Sequence, residues 1–371
     1  MARLTKDRLD QITWPIAQIY SSIQTEILEN IAELLAKDQD ALEEDANAWY
    51  ALKLQQVGGL TKQNIKTISK KSGLSQKKVR EILSEAGHEG IQENETILQT
   101  AFQKGALSKE APEPKDDPAI WRILEAFEAQ SNDIFNQINS TMLENGAQVY
   151  RDILTQTTAD VLSGTKTPQQ ALRSTLTKWA NKGIPTLVKS NGDRMYAQEY
   201  AQMVIRTMSN NVANEMQDAR FDSWGVDLVE ISSHSGARPK CAPYQGRIFS
   251  RSGKHPKYPA LSSTSIGEPD GLFGINCHHL QYPHVPGVSV QRFHPVNAEK
   301  NKKAYENSQK QRNLERFIRN GKRELAVFEK LGDEVGIKRA RAKIARRQAQ
   351  LRTFIDETGR TRRRNREQIY M

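Results

Sequence analysis

Both cysteines of this chain, Cys241 and Cys277, and six of its seven histidines fall between His234 and His294. Glycine and proline interrupt that stretch repeatedly, in HSGARPKCAPYQGRIFSRSG (234–253) and GLFGINCHHLQYPHVPG (271–287). No long helix can run through such a sequence. Elsewhere the apolar residues recur at three- and four-residue steps. The chain must therefore carry one small irregular module on long helical supports. The fold class this predicts is mostly α, with helical bundles, a small mixed α+β Cys/His module and a basic C-terminal helical hairpin.

Composition agrees. With 371 residues there is room for several domains. A mean hydropathy of −0.69 and 7% aromatics suit several small helical units better than one thick core. No run of 18 apolar residues exists, so no membrane span is expected. The opening MARLTKDRLDQITW lacks the apolar core of a secretory signal. Two cysteines make no disulfide framework and point to synthesis in a reducing cytoplasm.

Five segments follow from the pattern: an N-terminal helical region (1–108), a linker KEAPEPKDDP (109–118), a helical bundle (119–224), the Cys/His module (225–297) and a basic hairpin and tail (298–371). In the first, Ile16, Ile19, Ile23, Ile27 and Ile31 mark an amphipathic helix, and a short helix over 46–57 should stop at Gly58-Gly59. Residues 60–87 have the spacing of a helix-turn-helix, with a turn at Ser72-Gly73 and an N-cap at Ser75. There Gln76, Lys77 and Arg80 would face DNA. The alternative is a helical hairpin with Ile65, Ile68, Leu74, Val79 and Ile82 in its core. The bundle should hold helices over 120–143, 147–162, from the capping sequence Thr167-Pro168-Gln169-Gln170, and over 194–221. Strands are expected over 226–232, 246–250 and 280–282. In the tail, LGDEVG should turn between two helices, and RTRRRNREQIYM should be a flexible end.

The module's chemistry has two readings. Cys277 and His279 are two residues apart, which on extended backbone puts both on one face. With Cys241 and His234 they make a tetrahedral donor set for one structural zinc. Such an ion would hold a unit too polar to fold on apolar burial. No CxxC pair is present, and two buried cysteines with histidines bonded to loop backbone fit the same residues. For catalysis, His234 or His279 would be the base and Arg238 a phosphate grip. The nearby carboxylates are only Glu230, Glu268 and Asp270, and no nucleophile–base pair stands out. No catalytic residue is assigned.

The charge is uneven. Over residues 300–371 there are 22 Lys and Arg against 9 Asp and Glu, a net of +13, whereas the whole chain is +10. The other 299 residues are thus slightly acidic, at −3. Lys338, Arg339, Arg341, Lys343, Arg346 and Arg347, followed by Arg362, Arg363 and Arg364, are the cations expected to meet phosphates or an acidic protein surface.

HSGARPKCAPYQGRIFS followed by GLFGINCHHLQYPHVPG resembles the signature of the phage minor capsid protein 2 family. So does the tail, QRNLERFIRNGKREL with an arginine-rich helix and LRTFIDETG. His234, Gly236, Arg238, Gln245, Gly246, Gly271, Asn276, Cys277, His279, Pro283 and Gly287 all fall in the pattern, while Cys241 stands where relatives often carry histidine. Around residues 226–279 the chain is also distantly similar to Mu F-like head morphogenesis proteins. The resemblance implies a structural protein of a tailed-phage head, made in the host bacterial cytoplasm and ending in the virion. Its implied partners are the portal, the major capsid protein and packaged DNA, and its implied role is head assembly and DNA packaging or delivery. A metal-dependent nuclease of head maturation, using the His234–His279 module, is the alternative.

Overall fold

The computed structural model describes residues 4–370. They are mostly helical, with two small antiparallel sheets. In chain order come α1 (Lys6–Ala36), α2 (Gln39–Glu44), α3 (Ala46–Gln55), α4 (Val57–Gln103), α5 (Pro118–Leu162) and α6 (Pro168–Lys182). The strands β1 (Pro185–Val188) and β2 (Arg194–Tyr196) precede α7 (Ala197–Trp224). Then follow β3 (Leu228–Ile231), β4 (Ile248–Ser250), β5 (Gln281–Pro283), α8 (Ala298–Leu331) and α9 (Glu334–Thr358). Among the described residues no helix is long and apolar enough to cross a membrane. The chain forms two compact units, each drawn from three sequence segments. One takes the residues up to Ile16, Gln76–Ile134 and Gln202–Ser308; the other takes Ala17–Ser75, Phe135–Ala201 and the residues from Gln309 on.

In the first unit β3 is the central strand. It pairs with β4 and β5, Val229 lying opposite both Phe249 and Pro283. With both edges paired, all four β3 residues are buried. Val229 and Ile231 join Leu98, Phe221, Trp224, Phe249, Leu261 and Leu272 in an apolar core that also takes Cys241 and Cys277. Alternation along the strand sends Glu230 to the other face. Its buried carboxylate accepts the backbone N–H groups of Arg292 and Phe293. Arg220, 1% exposed, donates to Glu95 at 2.6 and 2.9 Å and to Asp117 at 2.7 Å. Asp117 also accepts the Ala119 N–H at the start of α5. One buried cation thus fixes the connection that enters α5.

In the second unit α6 opens on the expected capping box between Thr167 and Gln170. Arg173 reaches Asp333 at 2.5 and 2.8 Å, and Asp333 caps α9 by accepting the Gly336 N–H. The α8–α9 hairpin turns at Gly332, φ 76°, as its LGDEVG sequence predicts.

Several elements depart from expectation. Residues 60–87 lie wholly within α4 and do not form a helix-turn-helix. Ser75 is a buried helix residue whose hydroxyl donates to the Ser72 carbonyl, 2.7 Å away. A glycine inside a helix costs about 1 kcal/mol. Burial of Leu60, Ile68, Val79, Ile82 and Leu83 outweighs that, at roughly 1.5–3 kcal/mol for each large side chain. Ile65 and Leu74, expected in a core, are exposed. Gln76, Lys77 and Arg80 therefore sit on a continuous helix, and Arg80 lies 3.5 Å from Glu128. Gly58-Gly59 falls inside the first turn of α4 and stops nothing. The helices expected over 120–143 and 147–162 are one, α5; Gly146 is where α1 comes close, since a Cβ there would lie 3.3 Å from Ile27. The β1–β2 hairpin was not expected, and it moves the start of α7 from 194 to Ala197. The basic end is anchored: Arg364–Glu367 is a 3-10 turn with Arg366 and Glu367 buried, and the Arg366 carbonyl accepts from Arg319 at 2.6 Å.

Candidate functional site

The loops between β3 and β4 and between β4 and β5 each deliver one cysteine to the core. In the first loop the Cys241 N–H donates to the Arg238 carbonyl at 2.9 Å. The loop returns to the sheet at Gly246, φ 66°, where an added Cβ would lie 2.2 Å from the His294 carbonyl carbon. Arg238 ties the first loop to the second. It donates to the carbonyls of Ile275 at 2.6 Å and Gly271 at 3.1 Å. In the second loop Asn276 is left-handed, φ 58°. Its side chain accepts from Arg206 at 3.1 Å and its N–H donates to Thr207 at 3.0 Å. Asn214 then donates to the His279 carbonyl and accepts the Gln281 N–H, both at 3.1 Å. Helix α7 therefore sets the path of residues 276–281.

Cys241, Cys277 and His279 are each 1% exposed, and their ligand atoms lie within 4.8 Å of one another. The Cys277 Sγ is 3.4 Å from His279 Nδ1. On the far side of the ring, Nε2 is 3.5 Å from Gln245 Oε1. That oxygen also accepts the His234 backbone N–H at 3.0 Å. The His234 N–H fixes the amide orientation, so Gln245 offers His279 Nε2 an acceptor, and the Nε2–H tautomer is the one that can use it. Its Nδ1 lone pair then faces the sulfurs. Arg238 Nη2 lies 3.8 Å from the Cys241 Sγ. Burial raises the Cys277 thiol, but the Cys241 thiol and the N–H groups of His279 and Phe273 outweigh it and bring it to about 7. The same pairing with Cys277, and then burial, push Cys241 up. One sulfur of the pair is thus the readier thiolate.

His234, expected as a fourth ligand, is not part of this cluster. Its ring stacks on His279, centroids 4.5 Å apart and 26° between planes. Burial, with His279 and Lys6 nearby, lowers it to about 2 and holds it neutral. His278, lowered to about 4 by burial, has Nε2 3.7 Å from Asp10. His234 and His278 line a cleft of about 340 Å³ with Leu4, Lys6, Tyr282 and Phe293. The groups weighed for catalysis are engaged elsewhere. Arg238 is spent on carbonyls, Glu230 on backbone N–H groups, and Glu268 and Asp270 pair with Lys240 at 2.6 and 2.7 Å.

The nine cations singled out in the tail divide. Lys338, Arg339, Arg341 and Arg346 are exposed along α9, and Arg364 is exposed beyond it. Lys343 instead bonds Glu324 at 2.6 Å and Asn181 at 2.7 Å. Arg347 lies 4.9 Å above the Phe317 ring. Arg362 pairs with Glu367, and Arg363 donates to Glu315 at 3.0 and 2.9 Å. A basic cleft of about 360 Å³ escaped the sequence reading. Lys182, Lys189, Arg194 and Arg316 line it, with Glu199 the one acid among its lining residues. Lys182, Lys189 and Arg194 are spaced across the end of α6 and the β1–β2 hairpin, and Arg316 joins them from α8, so no charge run announces them. Arg206 and Asn214 were missed likewise, because nothing in the sequence ties them to the cysteines, while Gln245 stood in the family pattern without a role.

Comparison with known proteins gives a consistent answer. The model of the phage minor capsid protein 2 family matches residues 4–356, a span that includes both cysteine loops. A structural protein of Lactococcus phage LL-H is 28% identical over 332 residues, covering 86% of this chain and 87% of that protein. A structural protein of Lactococcus phage mv4 is 33% identical over 103 residues, covering 28% of this chain and 84% of that protein. No solved structure gives a significant match.

Proposed function

The chain belongs to the phage minor capsid protein 2 family, and from that premise we propose that it is a minor structural component of a tailed-phage head. In this reading it sits at the portal vertex or the capsid interior and aids head assembly and the packaging or delivery of DNA. The family match over residues 4–356 carries the reading. The free thiols of Cys241 and Cys277 suit synthesis in the reducing cytoplasm of a bacterial host. Its partners are the portal or the major capsid protein, met through the outer faces of the long helices.

The exposed cations of α9 are the surface offered to packaged DNA. Lys338, Arg339, Arg341 and Arg346 stand on one helix of 25 residues. Such a row meets phosphates without reading bases, so the contact is independent of sequence and sensitive to salt. Crosslinking in procapsids tests the partner assignment: crosslinks from this chain to the portal or coat protein are expected, and their absence from procapsids that hold the chain would refute it. Duplex DNA binding measured across salt concentrations tests the nucleic-acid face. Each phosphate contact removed by a Lys or Arg→Gln change in α9 should flatten the log–log salt slope by roughly 0.9. A slope unchanged by all four changes would remove α9 from the DNA-facing surface.

A further inference from the structure

We propose that Cys241, Cys277 and His279 bind one thiophilic divalent ion of the zinc class, which ties together the two loops flanking β4. The proposal is independent of where the protein sits in the particle. Zinc–sulfur and zinc–nitrogen bonds of about 2.3 and 2.0–2.1 Å in a tetrahedron put S and N about 3.6 Å apart. Cys277 Sγ and His279 Nδ1 are 3.4 Å apart, and the whole set lies within 4.8 Å. Two sulfurs and an imidazole select a soft or borderline cation over calcium or magnesium, which need oxygen ligands.

Two features beyond the donors favour a bound ion. Gln245 Oε1 lies 3.5 Å from His279 Nε2 and can accept its N–H, the tautomer that turns the Nδ1 lone pair to the sulfurs. A metal-bound imidazole ordinarily donates its other N–H to such an oxygen. Arg238, 3.8 Å from Cys241 Sγ, places a cation where thiolate charge would develop. The need is structural. The loops span residues 232–247 and 251–280 between strands of three and four residues. A metal bridging both loops would add its binding free energy to the stability of the unit. Three protein ligands leave one tetrahedral position, which a water would fill, since a closed structural site has four ligands.

The test uses the full chain, made in a bacterial cytosol with zinc and purified under reducing conditions without chelator. Elemental mass spectrometry should find about one zinc per chain. Cobalt exchange should give tetrahedral d–d bands and a thiolate-to-cobalt charge-transfer band. Cys241→Ser and Cys277→Ser should each lose the metal. Gln245 is a positioning residue: Gln245→Leu should weaken affinity about 10- to 100-fold, and Gln245→Glu, which keeps an acceptor for Nε2–H, should restore it. Should the cysteine variants fail to fold, thiol alkylation of the wild-type chain replaces them, and a chelator should speed it at least tenfold. A metal-free chain that takes up no cobalt overturns the proposal. So does a Cys241–Cys277 disulfide in the cytosolic product, or alkylation at the same rate with and without chelator.

Discussion

The cysteine loops of the first unit bury the polar side chains that shape them, whereas α9 of the second unit keeps most of its cations in solvent. In the loops and the strands that hold them, Glu230, Gln245, His279 and Gln281 are each 2% exposed or less. Each is held by particular partners, such as Asn214 for Gln281 and the Arg292 and Phe293 amides for Glu230. In α9 the inward face is an ordinary apolar stripe, with Ile337, Ala340, Leu351 and Phe354 buried. Among the outward cations Arg341 pairs with Glu329 at 3.3 Å, with both side chains largely exposed. A buried polar group left without its partner costs roughly 1–3 kcal/mol, while an exposed charge costs almost nothing to remove. The loops should therefore be intolerant of single changes, and the outer face of α9 indifferent to them in stability although not in binding.

The sharpest way to break that contrast is Gly246→Ala. The new Cβ would meet the His294 backbone at 2.2 Å at a positive φ. We expect a loss of more than about 4 kcal/mol in urea denaturation, the range reached only by severe steric or polar defects. A loss under about 1 kcal/mol would mean the loop yields. A smaller effect is expected at the α9 cap. Burial works against the Asp333 carboxylate, but the Arg173 fork and the Gly336 N–H outweigh it and hold its pKa below the ordinary carboxylate range. Because the folded value is the lower one, its contribution is full above the unfolded pKa of about 3.9 and is lost as pH falls through the folded value. Asp333→Asn should cost about 1.5–3 kcal/mol at pH 7 and nothing once the wild-type carboxyl is protonated. A pH-independent difference would contradict this.

Gly73→Ala should move stability the other way. The residue is inside α4 with nothing within 4 Å of the added methyl. A gain of about 0.5–1 kcal/mol is expected from helix propensity. A loss would revive the turn that residues 60–87 were read to contain. The least effect belongs to α9. Lys338→Gln, Arg339→Gln and Arg346→Gln should each change thermal stability by less than about 0.5 kcal/mol.

Regular elements were legible in the sequence where one local rule decides them. The Thr167 capping box, the LGDEVG turn and the branched apolar run of β3 are each settled within a few residues. Glycines misled where tertiary packing overrode local preference: Gly73 sits in a helix held by burial on either side, and Gly146 is the close approach to Ile27. The β1–β2 hairpin did leave a signal in Gly192, which at φ 83° ends a turn closed by its own N–H on the Lys189 carbonyl. At the candidate site the donors Cys241, Cys277 and His279 stood out by type alone. Their geometry did not, because Gln245 reaches His279 across 34 residues of chain, Asn214 the His279 carbonyl across 65, and Arg206 the neighbouring Asn276 across 70. His234 shows the limit of reading by type: it is the right kind of residue and close by, yet it stacks on a ligand candidate without joining the cluster.

Quantitative mass spectrometry of density-banded virions and procapsids, washed in high salt, tests the central claim most directly. A minor structural component of the head should be retained in both at a constant, low ratio to the major capsid protein. Its absence from both particles, with the chain abundant in the infected-cell lysate, would contradict the account.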